Sequence, residues 1–221
     1  MRMHKKSRLE ERLAACADIV KVADLTDKNM LRAALTPEYV PFNELFGNEN
    51  PLYLEIGCGK GKFVTEMATR FPEVNFVACE KISNVLIEAL ERVKEEGIKN
   101  VYFLNCAAEV LQKYFEKCSV ERIYLNFSNP LPKEGYKKQR LTHPRFLSIY
   151  TGLLKKGGLI IQKTDDENFY KFSLESYKEA GFEVLSACEN YLTPEKDDAE
   201  TEHERRFKEM GKRIFRVIVR V

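Results

Sequence analysis

From Pro51 onward the chain alternates short apolar runs with longer stretches in which apolar residues recur every three or four positions. The short runs read as strands at 52–56, 74–79, 101–105, 121–127, 158–163, 182–189 and 213–221. Helical spacing covers 61–70, 83–96, 107–116, 142–154 and 166–180. Alternation of this kind predicts an α/β fold, a mostly parallel seven-stranded sheet with helices on both faces. No apolar helix separates the last two strands, so the final one is expected to pair antiparallel at the sheet edge. The first fifty residues follow a different pattern. Leu9, Leu13, Cys16 and Val20 recur at helical spacing, and the stretch around Pro37 and Pro41 is expected to run extended over the surface. Residues 1–50 are thus expected to be a basic arm and extension packed on a main domain at 51–221.

Composition narrows this little. Charged residues make up 32% and hydrophobic ones 44%, as in ordinary soluble domains. The net charge of +2 does not by itself point to nucleic acid, so any such case rests on where the charges lie. No apolar run is long enough to span a membrane, and no apolar segment follows the N-terminal charges; a cytoplasmic protein is expected. The six cysteines, at 16, 58, 79, 106, 118 and 188, and the three histidines lack metal-ligand spacing, so no metal is expected.

Ligands of such sheets sit beyond the carboxyl ends of the strands. Glu55 stands late in the first apolar run, ahead of Gly57, Gly59 and Gly61. An acid inside a buried strand is costly without a partner, and glycines let a backbone approach a ligand closely. The spacing is G-x-G-x-G, not the G-x-G-x-x-G of dinucleotide sites. An acid followed by this spacing resembles the S-adenosylmethionine site of class I methyltransferases; a glycine-rich turn that holds no ligand is the alternative. Glu80 stands just beyond the second run, about twenty residues after the glycines, where an acid can accept both hydroxyls of a cofactor ribose. After the fourth run, Lys133, Lys137, Lys138, Arg140 and Arg145 face one acid, Glu134, with Tyr136 among them. Such a loop beside a methyl-donor site suits RNA phosphates.

Four short motifs carry a resemblance to one family. The stretch Asn126-Phe-Ser-Asn-Pro-Leu-Pro-Lys133 resembles the Asn-Phe-Ser-Asp-Pro-Trp-Pro-Lys of bacterial tRNA (guanine-N7-)-methyltransferases. Lys163-Thr164-Asp165 matches the family's Lys-Thr-Asp, Leu141-Thr142 its Leu-Thr, and Thr201-Glu202-His203-Glu204 its Thr-x-Tyr-Glu. This chain departs from the family at Asn129, Leu131 and His203, and Ala107 stands where an acid is common. The resemblance implies a Rossmann-like class I fold and methyl transfer from S-adenosylmethionine to N7 of a guanine in the variable loop of tRNA, by a monomer or homodimer. It implies that Glu55, Gly57, Gly59, Glu80, Ala107 and Asn129 line the cofactor, with Asn129 at the catalytic position. Lys133, Asp165, Thr201, Glu202, His203 and Glu204 would then face the guanosine and its tRNA. Guanine N7 carries a lone pair and no proton, so the reaction needs alignment more than a base. The alternatives are another RNA target for the same chemistry, or a tRNA-binding homologue of weakened activity.

Overall fold

The structure is a computed structural model that describes residues 6–23, 36–192 and 198–221. Its elements begin with α1 (Leu9–Ala14), β1 (Val20–Val22), α2 (Phe42–Phe46), β2 (Leu52–Ile56), α3 (Lys62–Arg70) and β3 (Asn75–Cys79). There follow α4 (Ser83–Glu95), β4 (Val101–Asn105), a 3-10 turn at Ala108–Val110, α5 (Leu111–Tyr114) and β5 (Val120–Asn126). A second 3-10 turn, Glu134–Gln139, leads to α6 (Pro144–Leu153), β6 (Leu154–Thr164), α7 (Glu167–Glu179), β7 (Glu183–Cys188), α8 (Glu202–Glu209) and β8 (Phe215–Arg220).

Alternation along the strands builds two cores, one on each face of the sheet. Leu52, Leu54 and Ile56 of β2 join Val77, Ile123 and Leu125 in one core. Tyr53 packs on the other face with Phe76, Ala78, Tyr124 and Ile161, against Val64, Met67, Leu86 and Leu90 of α3 and α4. Glu55, Asn126 and Lys163 fall on this second face by the same alternation, at the ends of three adjacent strands.

The described strands form one sheet in the order β1-β4-β3-β2-β5-β6-β8-β7. It has eight strands rather than seven. The additional one, β1, pairs in parallel with Phe103–Asn105. Three residues are too few to show a period, and Val20 happened to continue the spacing of Leu9, Leu13 and Cys16, whereas the helix stops at Ala14. β8 runs antiparallel to both β6 and β7, so the edge is antiparallel in its pairing, with β7 outermost and β8 one place in. The connection between them holds α8, which buries Glu204 and no apolar residue, so it carried no hydrophobic signal.

Two boundaries also moved. The helix expected at 107–116 splits into the 3-10 turn and the four-residue α5. β6 begins at Leu154, directly after α6. Glycine there permits close approach: a Cβ at Gly158 would lie 2.9 Å from the Lys155 carbonyl oxygen.

The N-terminal extension is fastened to α4. Arg12 donates twice to the Glu91 carboxylate at 2.6 Å, and Lys6 pairs with Glu88. Glu38 and Val40 donate their amides to the carbonyls of Lys113 and Tyr114, holding the extended stretch after Thr36 against α5. The basic residues Arg2 and Lys5 lie outside the described residues. No helix among the described residues is long and apolar enough to cross a membrane.

Candidate active site

The chain leaves β2 through Gly57, Gly59 and Gly61, at φ of 81, 57 and 75°. All three lie in the left-handed region that side chains avoid. Their surroundings separate them. A Cβ at Gly57 or Gly59 would meet open space, whereas one at Gly61 would lie 2.5 Å from the Ala89 Cβ. Two glycines therefore open the cavity, and the third lets the start of α3 pack on α4.

Two cavities meet over this turn and share Gly57 and Phe127. The larger, of about 330 Å3, is lined by Glu80, Cys106, Ala108, Ser128, Asn129 and Leu131 among others. Glu80 accepts from the Ile82 amide at 2.8 Å and from the Gly59 amide at 3.3 Å. A carboxylate has about four lone-pair positions, so acceptor capacity is left over for a ligand. Asn129 is exposed, and its Oδ1 accepts from the Leu131 amide at 3.1 Å. Ala107 stands between Cys106 and Ala108, which line the wall, and is not itself part of it.

The smaller cavity, about 200 Å3, holds Glu55, Gly59, Lys62, Asn126, Thr201, Glu202 and His203. Glu55 is 3% exposed. Its Oε1 accepts from Asn126 Nδ2 at 3.0 Å, while Oε2 meets no protein donor among the described residues. Asn126 Oδ1 and Ser128 Oγ are likewise buried and unpartnered there. Burial pushes the Glu55 carboxyl up to about 7; the Asn126 hydrogen bond, the charge of Lys163 and the Val64 amide nearby, which is outside hydrogen-bond geometry, oppose that rise, and the charge of Glu80 adds to it. Buried polar atoms in a folded chain are nearly always satisfied. Orphans of this kind, beside a cavity, fit a ligand that brings donors and positive charge.

The Thr201–Glu204 segment is held over this face by a separate cluster. Lys163, with no exposed surface, donates to the Ala199 carbonyl at 2.8 Å, to Asp198 at 3.1 and 3.2 Å, and to Glu204 at 2.8 Å. The other oxygen of Glu204 accepts from Lys208 at 2.7 Å, and Tyr191 donates to Asp198 at 2.8 Å. Thr201 caps α8 by accepting from the Glu204 amide at 2.9 Å. Thr201, Glu202 and His203 thereby reach the cavity, whereas Glu204 is turned into the protein with both oxygens taken. Asp165 is half-buried and pairs with Lys212 at 2.7 Å, and Lys133 is exposed; neither lines the two cavities.

Phe127 is the residue that the motifs did not single out. It has φ of 50°, uncommon for a bulky side chain, and its ring lies 6.1 Å from that of His203, nearly parallel, and 5.7 Å from Phe207. It stands where both cavities meet, so strain is spent at the centre of the site. Nothing in its local sequence signals this, because the position depends on α8 folding back.

The family model described as "Putative methyltransferase" matches residues 49–217. The chain is 43% identical to a tRNA (guanine-N(7)-)-methyltransferase of Geobacillus kaustophilus (strain HTA426), over 79% of this chain and 81% of that one. It belongs to the tRNA (guanine-N(7)-)-methyltransferase family. The relative of the same name from Geobacillus thermodenitrificans (strain NG80-2) is also 43% identical, over 79% of this chain and 82% of that one. Among solved structures, the 16S rRNA methyltransferase KamB shares the fold, with a TM-score of 0.65 at 16% identity, covering 83% of this chain and 94% of that one.

Proposed function

We propose that this protein transfers a methyl group from S-adenosylmethionine to N7 of a guanine in tRNA, in the variable loop, and does so in the cytoplasm. The observation that carries the reading is the pair of joined cavities. One offers Glu80 with free acceptor capacity, and the other offers Glu55 with a buried oxygen that no described residue pairs. We assign Glu80 to the ribose hydroxyls, the open backbone at Gly57 and Gly59 to the turn of the cofactor chain, and Glu55 to its ammonium group. Bound there, S-adenosylmethionine supplies an electrophilic methyl group. That relatives 43% identical to this chain are tRNA (guanine-N(7)-)-methyltransferases supports guanine as the acceptor.

The residues then act by placement. Guanine N7 attacks with an in-plane lone pair, no proton leaves the base, and the product base is a cation. A general base has no task, so alignment of two bound reactants, contributing up to roughly 7–11 kcal/mol, is the main device. We assign Glu202, which is exposed at the mouth, to accept from the N1–H and exocyclic amine of guanine, and the face of Phe127 to stacking. Lys163 and Glu204 are positioning residues, because they fix the backbone that carries Thr201, Glu202 and His203. A base drawn from a structured loop leaves its stack at a cost of a few kcal/mol, which contacts of this kind offset.

The test is incubation with isotopically labelled S-adenosylmethionine and unmodified bulk tRNA, followed by nucleoside analysis. Label in 7-methylguanosine is the expected result. Label in another nucleoside, or none, overturns the reading.

A further inference from the structure

Outside the two cavities, the cations of this chain are mostly spent on its own acids. Lys155 pairs with Glu121 at 2.7 Å, Lys94 with Asp18 at 2.8 Å and Arg145 with Glu109 at 2.5 Å. The loop after β5 follows the same rule in part. Lys137 pairs with Glu134 at 3.3 Å, and Arg140 donates to the Leu131 carbonyl and lies 4.6 Å from the Phe172 ring centre.

A groove between α3, α4 and α8 is different. It is lined by Lys62, Arg70, Arg92 and Arg205, against Glu66 and Glu96, with a volume of about 510 Å3. Arg70 is held by the Asp198 carbonyl at 2.5 Å and by Glu66 at 3.6 Å. The side chains of Lys62, Arg92 and Arg205 make no hydrogen bond or ion pair with any described residue. Three cations from three helices, none paired by a described residue, thus share one trough. Lys62 also lines the cavity that holds Glu55 and Thr201, so the trough borders the site.

We infer that this groove is a track for the phosphate backbone of the RNA substrate, leading to the reactive site and separate from the loop at 133–145. The inference rests on the reading of the protein as a tRNA methyltransferase and adds a surface to it. Spaced cations that no described residue pairs, on elements fixed by packing, suit a chain of phosphates better than one small anion, which would need its ligands to converge. The two acids in the trough keep it from being a generic anion trap. Affinity of such a surface depends steeply on salt, because phosphate contacts release counterions.

The experiment measures binding of unmodified tRNA across a salt series for the parent, for Arg92→Gln/Arg205→Gln, and for Glu96→Lys. The double variant is expected to lose about tenfold in affinity near physiological salt. Its plot of log affinity against log salt should become shallower by roughly 1.4–1.8, two contacts' worth. The KM for tRNA rises, while kcat at saturating tRNA and affinity for S-adenosylmethionine stay at parental values. Glu96→Lys should bind more tightly with a steeper slope, a gain that no folding defect produces. Parental slopes in both variants overturn the inference. If the parent labels tRNA and the variants bind as it does, the groove alone is rejected. If the parent labels no tRNA, the functional reading fails and the groove falls with it.

Discussion

Glu55 and Glu204 are both buried carboxylates on the same side of the sheet, and they differ in what meets them. Glu55 has one oxygen on Asn126 and one on nothing that the described protein supplies. Glu204 has Lys163 on one oxygen at 2.8 Å and Lys208 on the other at 2.7 Å. A buried charge without partners is expensive, so a fold that tolerates one keeps it for a ligand. A buried charge whose partners are all protein holds the fold in place. The two glutamates thus separate the part of the site that binds from the part that positions.

The largest way to break that contrast is Lys163→Met. It leaves Asp198 and Glu204 buried without their cation, and removing one partner of a buried pair costs about 3–5 kcal/mol. Urea unfolding should show the loss, and Lys163→Met/Glu204→Gln should recover part of it. Parental stability for Lys163→Met would mean that the cluster does not hold α8.

The glycines sharpen the comparison next. Gly61→Ala combines a clash with Ala89 and left-handed strain, and should lower stability by about 2–4 kcal/mol. Gly59→Ala carries the strain alone, about 1–2 kcal/mol, and places a methyl group in the cavity. Thermal unfolding should rank Gly61→Ala as the less stable, while calorimetry with S-adenosylmethionine shows a binding defect in Gly59→Ala. A reversed ranking in either assay would undo the division of labour among the glycines.

Glu80→Ala tests the other end of the site. Loss of charge-assisted hydrogen bonds to the ribose should weaken S-adenosylmethionine by about 1.5–3 kcal/mol, with affinity for tRNA unchanged in the absence of cofactor. Unaltered cofactor binding in a folded variant would remove Glu80 from the ribose role.

The last test is one of pH. A cationic ammonium favours the ionised form of Glu55, so its pKa should fall on binding from the value near 7 in the free protein. Affinity for S-adenosylmethionine should therefore rise with pH by up to about tenfold per unit below 7, then level off. Stability of the free protein runs the other way. A carboxyl whose folded pKa is raised from 4.5 to about 7 costs the fold nothing below 4.5; the cost grows between pH 4.5 and 7 and levels off above 7. Glu55→Gln should thus match the parent's stability near pH 4.5, exceed it at pH 8, and bind with a flat pH profile. Isothermal titration and unfolding across that range check both signs.

Much of this was legible in the chain itself. Strand-to-helix alternation from Leu52 onward, the acid before the glycine turn, and Glu80 after the next strand are local patterns, set by a period of two, by φ and by the position of a strand end. The order of the motifs was enough to identify the family. Other features were not legible, for stated reasons. β1 is too short to show a period. α8 is polar all round except for Phe207, so no apolar stripe marks it. Asp165 and Glu204 read as free acceptors for guanine, and the fold gives them Lys212 and Lys163 instead.

By itself, then, the sequence determined where the chain turns, which residues stand at the strand ends and which chemistry those residues suit. Tertiary structure decided which of them face the cavity. Lys163, Asp198 and Glu204 are separated by up to 41 positions and meet within 3.2 Å only because β6 and α8 pack together. Phe127 faces His203 for the same reason, 76 positions away along the chain. Burial and pairing depend on neighbours brought from elsewhere in the chain, so no local pattern records whether a carboxylate is left free for a ligand or consumed by the fold.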